Sequence, residues 1–590
     1  MTTCSSLFAL VMLAMPSGDG GALEASEPSR LAIGKPGGPT ADFHLSQQPD
    51  PNEERFIQGP EQQPSIEEPA PVLPEVIESP PRTPEESADP STDSPEVLFT
   101  VEQIVVEGST VFDDAALRAV VAPLEGEAIA LEDLQNAADA ITQLYLDEGY
   151  LTSRAVVPNQ TIADGTAIIQ IIEGRISDIT IEGTNRLRQS YIRKRVQLGV
   201  DAPLRTDRLE DQLRLLRADP LIDTIEASLR AGEALGESRL VVRVEEADSW
   251  DGELRADNYS PPSVGSERIG AELAQLNLTG RGDRLFASVD RTTRDGSTVV
   301  EAGYRIPLNP RNGTFQLRTV INRNEVVLEP FDEFDIEGES ELYEASFRQP
   351  LVRSPREELA VSAGFSYRDG QTLAFDAIPI GIGVDDEGIT RTSVFRLGQD
   401  YVRRDRQGAW ALRSQFSLGA DIFNATNNDD GPDALFFSWL AQAQRVQRLS
   451  RNQLLVLQMD LQLTPDPLLS SEQFVIGGGR SLRGFRQNVR AGDNGLRVSI
   501  EDQITLARSE AGGSTFQLRP FVDAGVVWNN SESAELPEQN VLVGVGVGAL
   551  WEMVPDLTVR IDLAVPLIDL DDRGDNAQDD GVYFSVNYRI

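Results

Sequence analysis

From Trp250 to Ile590, apolar and polar positions alternate with a period of two. Val300, Ala302, Tyr304 and Ile306 share one face of a segment whose other face carries Val299, Glu301, Gly303 and Arg305. The same alternation sets Leu359, Val361, Ala363, Phe365 and Tyr367 against Ser362, Gly364, Ser366 and Arg368. It also sets Leu557, Val559, Ile561, Leu563 and Val565 against Thr558, Arg560 and Asp562. Successive side chains on a β-strand point to opposite faces, so each segment has one apolar face and one that carries charge. About sixteen strands can be placed this way, near 252–259, 268–278, 283–292, 298–308, 313–323, 340–349, 357–368, 391–402, 409–420, 434–446, 453–463, 495–506, 515–527, 541–551, 556–566 and 582–590. Connections after even-numbered strands, such as Thr279–Gly282 and Asn309–Asn312, are short turns. Those after odd-numbered strands, such as 324–339, 369–390, 464–494 and 567–581, are long. An even number of alternating strands with short turns on one side and long loops on the other predicts an antiparallel transmembrane β-barrel. Both its termini then lie on the short-turn side. The soluble alternative, a packed sandwich, would have to hide every apolar face and solvate every charged one. Trp410, Trp439, Trp528 and Trp551 fall on the apolar parity, three of them at strand ends where an aromatic girdle sits.

Ahead of the barrel the period changes. Gln103-Ile-Val-Val-Glu-Gly108-Ser is repeated as Asp178-Ile-Thr-Ile-Glu-Gly183-Thr. Each copy begins with a strand, passes through two helical stretches and closes with two strands. The helices are expected near Asp113–Val121 and Leu131–Glu148 in the first copy, with Ala137, Ala138, Ile141, Leu144 and Tyr145 on one face, and near Gln189–Val196 and Thr206–Ala218 in the second. The closing strands are expected at Ser153–Pro158 and Ala167–Glu173, then at Ile222–Ala231 and Arg239–Glu245. This order predicts two small α+β domains, 98–174 and 175–247, each a sheet covered by helices on one side, before a barrel over 248–590.

Residues 23–97 are rich in Pro, Glu, Gln and Ser and poor in large apolar residues, so they predict a disordered linker. Asn52-Glu-Glu-Arg-Phe-Ile57 is its one hint of a helix. Leu7 to Met15 is an apolar run of signal-peptide length, with small residues to Ala22, so 1–22 reads as an export leader. Cys4, the single cysteine, falls in that leader, leaving the mature chain without thiol or disulfide.

Composition removes whole classes of function. Hydrophobic content is 40% and no apolar run after the leader is long enough for a membrane helix. A net charge of −43 leaves no basic face for nucleic acid. His44 is the only histidine, so triads and histidine-ligated metals have no material, and no cofactor or metal is expected. The acidic stretch Asp569–Asp580 reads as a solvated outer loop rather than a calcium loop, because Arg573 stands where a ligand is wanted. Gly544, Gly546 and Gly548 share one strand face, which suits small residues in a crowded lumen better than a nucleotide loop.

Two motifs carry the candidate chemistry. The long connection 464–494 contains Gly477-Gly-Gly-Arg-Ser-Leu482-Arg483-Gly484-Phe485, in which an arginine flanked by apolar residues follows consecutive glycines. The next strand but one contains Phe521-x-Asp523-x-Gly525, on the face opposite Val522, Ala524 and Val526. Leu482-Arg483-Gly484-Phe485 resembles the loop motif, and Phe521-x-Asp523-x-Gly525 the barrel-wall motif, of the two-partner secretion transporters of the outer membrane, the TpsB or ShlB/FhaC/HecB group of haemolysin secretion/activation proteins. The paired α+β units resemble POTRA domains. The resemblance implies a reentrant loop folded into the lumen with Arg483 pairing Asp523. It also implies periplasmic POTRA-like domains that take an extended client by strand addition. The function it implies is type V secretion of one large haemolysin- or adhesin-like exoprotein without nucleotide, by a single non-enzymatic chain held in outer-membrane lipid and installed by the barrel-assembly machinery. A barrel-assembly insertase is the alternative within the same superfamily, and a passive porin is a third reading.

Overall fold

The computed structural model describes residues 98–590 except 163–164, 376–377, 382, 430, 510–513 and 531–538. The expected leader, the linker with its helix hint, and His44 lie outside the described residues.

Two α+β modules with the same order of elements come first. In the first, strand Gln103–Glu107 runs parallel to Thr166–Ile172, which also pairs antiparallel with Arg154–Val156. Helices Asp114–Val121 and Leu131–Asp147 connect them. Asp113 caps the first helix by accepting the Ala116 amide at 2.8 Å. Leu117, Val121, Leu134, Ile141, Tyr145 and Ile169 form the core. In the second module Arg175–Glu182 runs parallel to Glu237–Glu246, which pairs antiparallel with Ile222–Ala231. Its helices Gln189–Val196 and Thr206–Arg217 bury Ile192, Val196, Leu209, Leu213 and Leu216.

The internal repeat has a steric cause. Gly108 and Gly183 end the parallel strands with φ of +96° and +87°. At Gly108 a Cβ would stand 2.5 Å from the Ile171 carbonyl oxygen, and at Gly183 it would collide with that of Val244. Both copies leave the parallel strand by turning tightly under the same neighbour, which demands glycine.

The remainder is a closed barrel of sixteen antiparallel strands, from Trp250–Asp257 to Val582–Arg589, with a two-residue strand Ile378–Pro379 added at one loop. The last strand closes on the first over five residue pairs, Ser585↔Asp257 to Arg589↔Glu253. The wall separates residues as the alternation requires. Leu254, Ile269, Leu273, Val289, Leu317, Val522 and Ile561 are exposed, whereas Arg368, Asp460, Arg497, Glu501, Asp523 and Asp562 are buried. A soluble sandwich requires the reverse, so the exposed apolar band is the lipid face. Trp410 and Trp551 are exposed on that band beside short turns. The Trp439 Nε1–H donates to Ser414 Oγ at 3.0 Å near the long-loop rim.

Strand positions follow the alternation closely, with one difference. Glu337–Arg353, Glu357–Ala374 and Ile389–Asp405 run 17, 18 and 17 residues, longer than the apolar pattern indicates. Their outer ends carry ion pairs, Arg391–Asp369 at 2.7 Å between two of them and Arg323–Glu339 at 2.9 Å to the neighbouring strand Thr314–Glu325. Apolar periodicity stops at the edge of the lipid band, while backbone pairing continues into water.

Candidate functional site

The connection 464–494 turns inward from the long-loop rim. Its arms pair as a short hairpin, Phe474–Ile476 with Arg490–Gly492. The root is fixed by Asp493, which accepts the Leu468 amide at 2.9 Å and the Asn530 amide at 3.0 Å. It is fixed again by the Glu472–Arg396 ion pair at 3.0 Å. The tip reverses at Gly477 and Gly478, whose φ values of +115° and +98° exclude most side chains. Ser481 Oγ closes the turn by donating to the Gly477 carbonyl at 2.7 Å.

This hairpin carries Arg483 to the inner wall. Its Nε and Nη2 donate to the two oxygens of Asp523 at 2.7 and 2.9 Å, and its backbone amide reaches Asp523 at 3.1 Å. Such a two-pronged pairing is the strong form of an arginine–carboxylate contact. The guanidinium carbon lies 3.3 Å from the centre of the Phe521 ring, a cation–π contact. Both Arg483 and Asp523 are buried, at 5% and 0% exposed.

Each remaining motif residue has a place in the same contact. Leu482 and Phe485 are buried in an apolar cluster with Phe474, Ile476 and Leu542. Gly484 has φ +104°, and its amide donates to Tyr583 Oη at 2.9 Å, while that hydroxyl donates to the Phe485 carbonyl at 2.6 Å. Gly525 leaves room for the loop, since a Cβ there would stand 2.9 Å from Leu482 Cδ1. The structure therefore brings all seven sequence-marked residues, Leu482, Arg483, Gly484, Phe485, Phe521, Asp523 and Gly525, into one assembly.

Sequence reasoning missed the rest of the charge network. Glu501 accepts from Arg483 Nη1 at 2.8 Å and pairs with Arg519 at 2.5 Å and Arg560 at 3.6 Å. Asp562 takes Arg560 Nε at 2.8 Å and lies 4.0 Å from Arg483. Ser499 Oγ donates to Asp523 at 2.6 Å. Three arginines thus face three carboxylates. This neutral balance offsets part of the cost of burying charge on the inner wall. Parity places Arg560 and Asp562 inside the wall, but nothing local says that these strands converge on one arginine. Gly544, Gly546 and Gly548 line the wall under the tip, where a Cβ would strike the Arg483 carbonyl, the Leu563 carbonyl and the Asp562 carboxylate respectively.

The acidic stretch at 569–580 departs from expectation. It is not simply a solvated loop. Asp572 accepts from Arg490 at 2.9 and 3.0 Å and from Arg486 at 3.1 Å, and so clamps the outer half of the hairpin. Burial alone would raise the Asp572 carboxyl, but Arg490 and Arg486 outweigh it and hold it below the usual carboxylate range. Its oxygens are committed to guanidinium donors. Chemically the whole site positions a loop.

Comparison with known proteins gives a consistent set. Residues 236–550 match the family described as haemolysin secretion/activation protein ShlB/FhaC/HecB, and residues 99–174 match the ShlB-type POTRA domain. The outer membrane transporter CdiB of Escherichia coli is 25% identical over 79% of this chain and 78% of the relative. The heme/hemopexin transporter protein HuxB of Haemophilus influenzae (strain 86-028NP) is 22% identical over 77% and 80%. The hemolysin transporter protein ShlB of Serratia marcescens is 22% identical over 79% and 84%. Among solved structures, CdiB from Escherichia coli superposes with a TM-score of 0.67 at 22% identity, covering 89% of this chain and 94% of the other. BamA from Haemophilus ducreyi lacking POTRA domains 1–3 gives 0.51 at 14% identity, covering 83% and 100%. At these identities the two structures speak for the fold.

Proposed function

The chain belongs to the ShlB/FhaC/HecB family of haemolysin secretion/activation proteins, outer-membrane two-partner secretion transporters, and from that premise we propose how its parts divide the work. The α+β pair captures the N-terminal part of one large exoprotein in the periplasm, adding an extended client strand to an exposed sheet edge. The client then crosses the lumen unfolded, drawn by its own folding outside. The tie between Arg483 and Asp523 holds the hairpin in the position that permits conduction. The observation that supports this most is the burial of that pair within a neutral network on the inner wall.

Removing one partner of a buried ion pair strands the other in a dry site, at a cost of about 3–5 kcal/mol. Arg483→Ala and Asp523→Ala are each expected to abolish exoprotein release while the barrel still assembles and keeps its heat-modifiable electrophoretic mobility. Normal secretion by both variants overturns the role given to the tie. The BamA-like fold keeps a barrel-assembly insertase as the rival reading. Deleting the gene distinguishes the two, because losing a transporter removes one exoprotein from the medium and losing an insertase depletes many barrels.

A further inference from the structure

The short-turn rim carries a cleft that the secretion reading leaves unused. The second α+β module meets the barrel there: the Arg188 amide donates to the Gly280 carbonyl at 3.0 Å, and Gly282 lies so close to the Tyr191 ring that a Cβ has no room. Beside this contact a cavity of about 190 Å³ opens between the module's two helices and the turns near Pro310 and Arg353. Leu198, Leu215 and Leu351 supply apolar lining, and Arg195, Arg311 and Arg353 supply three guanidinium groups.

Those cations are poorly answered. Arg195 is 7% exposed, yet its donors go only to its own helix, at the Tyr191 carbonyl 3.2 Å away, and to Asn312 Oδ1 at 3.3 Å. Its guanidinium carbon lies 3.5 Å from the Tyr191 ring centre, and its Nε has no hydrogen-bond partner. Burial holds this guanidinium below its ordinary value. Neither Arg195 nor Arg311 makes an ion pair among the described residues, and Arg353 reaches Glu358 only at 3.7 Å. The one carboxylate in the lining, Asp219, accepts the Tyr191 hydroxyl at 2.7 Å and its charge reaches Arg195 without an ion pair, so one carboxylate stands against three cations. In a chain with 95 acidic and 52 basic residues, this local excess of cations is an outlier.

The position of the cleft identifies the kind of anion. Leu351 is an extra residue in the ladder, skipped between Pro350 and Val352, and is 52% exposed, while Leu308 on the neighbouring rim is 60% exposed. Both lie on the lipid face where it meets the short turns, which is the depth at which acyl chains end and headgroups begin. We propose that the cleft binds the phosphate of an anionic phospholipid from the inner leaflet, with acyl chains against Leu308 and Leu351. Arginine forks suit phosphate oxygens, and the headgroup then fastens the second module to the rim.

The test uses the full-length protein, delipidated in neutral detergent and titrated with phosphatidylglycerol, with bound lipid read by native mass spectrometry. One tightly retained phosphatidylglycerol per barrel is expected. Arg311→Glu and Arg353→Glu should each weaken retention about tenfold or more, the scale of one lost charge-assisted contact. Arg451→Glu, on a different short turn, should leave it unchanged, and heat-modifiable mobility confirms that every variant is folded. Equal retention of phosphatidylcholine overturns the proposal, as does retention unaffected by both cleft variants. Displacement of the lipid by matched inorganic phosphate assigns the cleft to a soluble anion and also overturns it.

Discussion

At the scale of residues, the Arg483 contact depends on the shape of its cation as well as its charge. A lysine in its place keeps the charge but cannot span both oxygens of Asp523 while also reaching Glu501. Arg483→Lys is therefore expected to secrete at a level between wild type and Arg483→Ala, measured as exoprotein in the culture medium. Gly544 gives an independent handle on the same loop. Gly544→Val drives a side chain into the Arg483 carbonyl without touching any charge, so the hairpin tip should be displaced and secretion reduced. A cysteine placed at Ser481 would then react faster with a membrane-impermeant maleimide added outside. No change in labelling would show that the tip adapts to the larger residue. The seven motif residues were legible in the sequence because the loop motif and the wall motif are each contiguous. Arg519 shares the inner face of the wall motif's strand, but that it meets Glu501 of the preceding strand and that Tyr583 of the last strand joins the same site shows only once the strands are rolled into one wall.

At the scale of elements, both α+β modules hold the turn after their glycine with a carboxylate from the end of the closing strand, Glu173 accepting the Thr110 amide at 2.6 Å in the first. In the second, Glu246 accepts the amides of Asn185 at 2.6 Å, Arg186 at 3.0 Å and Leu187 at 2.9 Å. Burial pushes this carboxyl up, but those three amides and the Arg186 charge outweigh it and leave it below its ordinary value. A carboxylate with a depressed folded-state value stabilises fully above its unfolded value of about 4.3, and that contribution is lost as the pH falls through the folded value. The protection of amides 185–187 relative to their intrinsic exchange rate in the full-length protein should therefore fall at acid pH below this point, and Glu246→Gln should flatten the dependence. The conserved geometry of the two copies gives a matched pair of tests. Gly108→Ala and Gly183→Ala each force a side chain into left-handed backbone and against a carbonyl, at a cost of about 1 kcal/mol or more. Limited proteolysis should become faster in the affected module and stay unchanged in the other. The helices and closing strands were readable to within a few residues because helical and strand periods differ. The parallel pairing of the first strand with the last was not readable, as it depends on the crossover through two helices and not on any local pattern.

At the scale of the whole molecule, the barrel was the most legible part, since a period of two sustained through sixteen strands can be satisfied only by lipid outside and a polar lumen inside. What the alternation could not show was where the wall stands taller than the membrane, or that the acidic stretch around Asp572 folds back onto the hairpin. That second fact adds to the loop's fastenings one that differs in depth and exposure from the tie at Asp523. Asp523 sits sealed in the interior at 1% side-chain exposure, whereas Asp572 remains 21% exposed near the outer rim. Added salt screens charges that water can reach and spares those it cannot. Raising ionic strength should therefore quicken hydrogen exchange over 486–492 while leaving 481–484 protected, and equal quickening of both stretches would contradict this ordering. Ambient salinity would then govern how freely the returning arm around Arg486 and Arg490 moves without changing where the tip points, so the habitat itself would set the slack in the conduit.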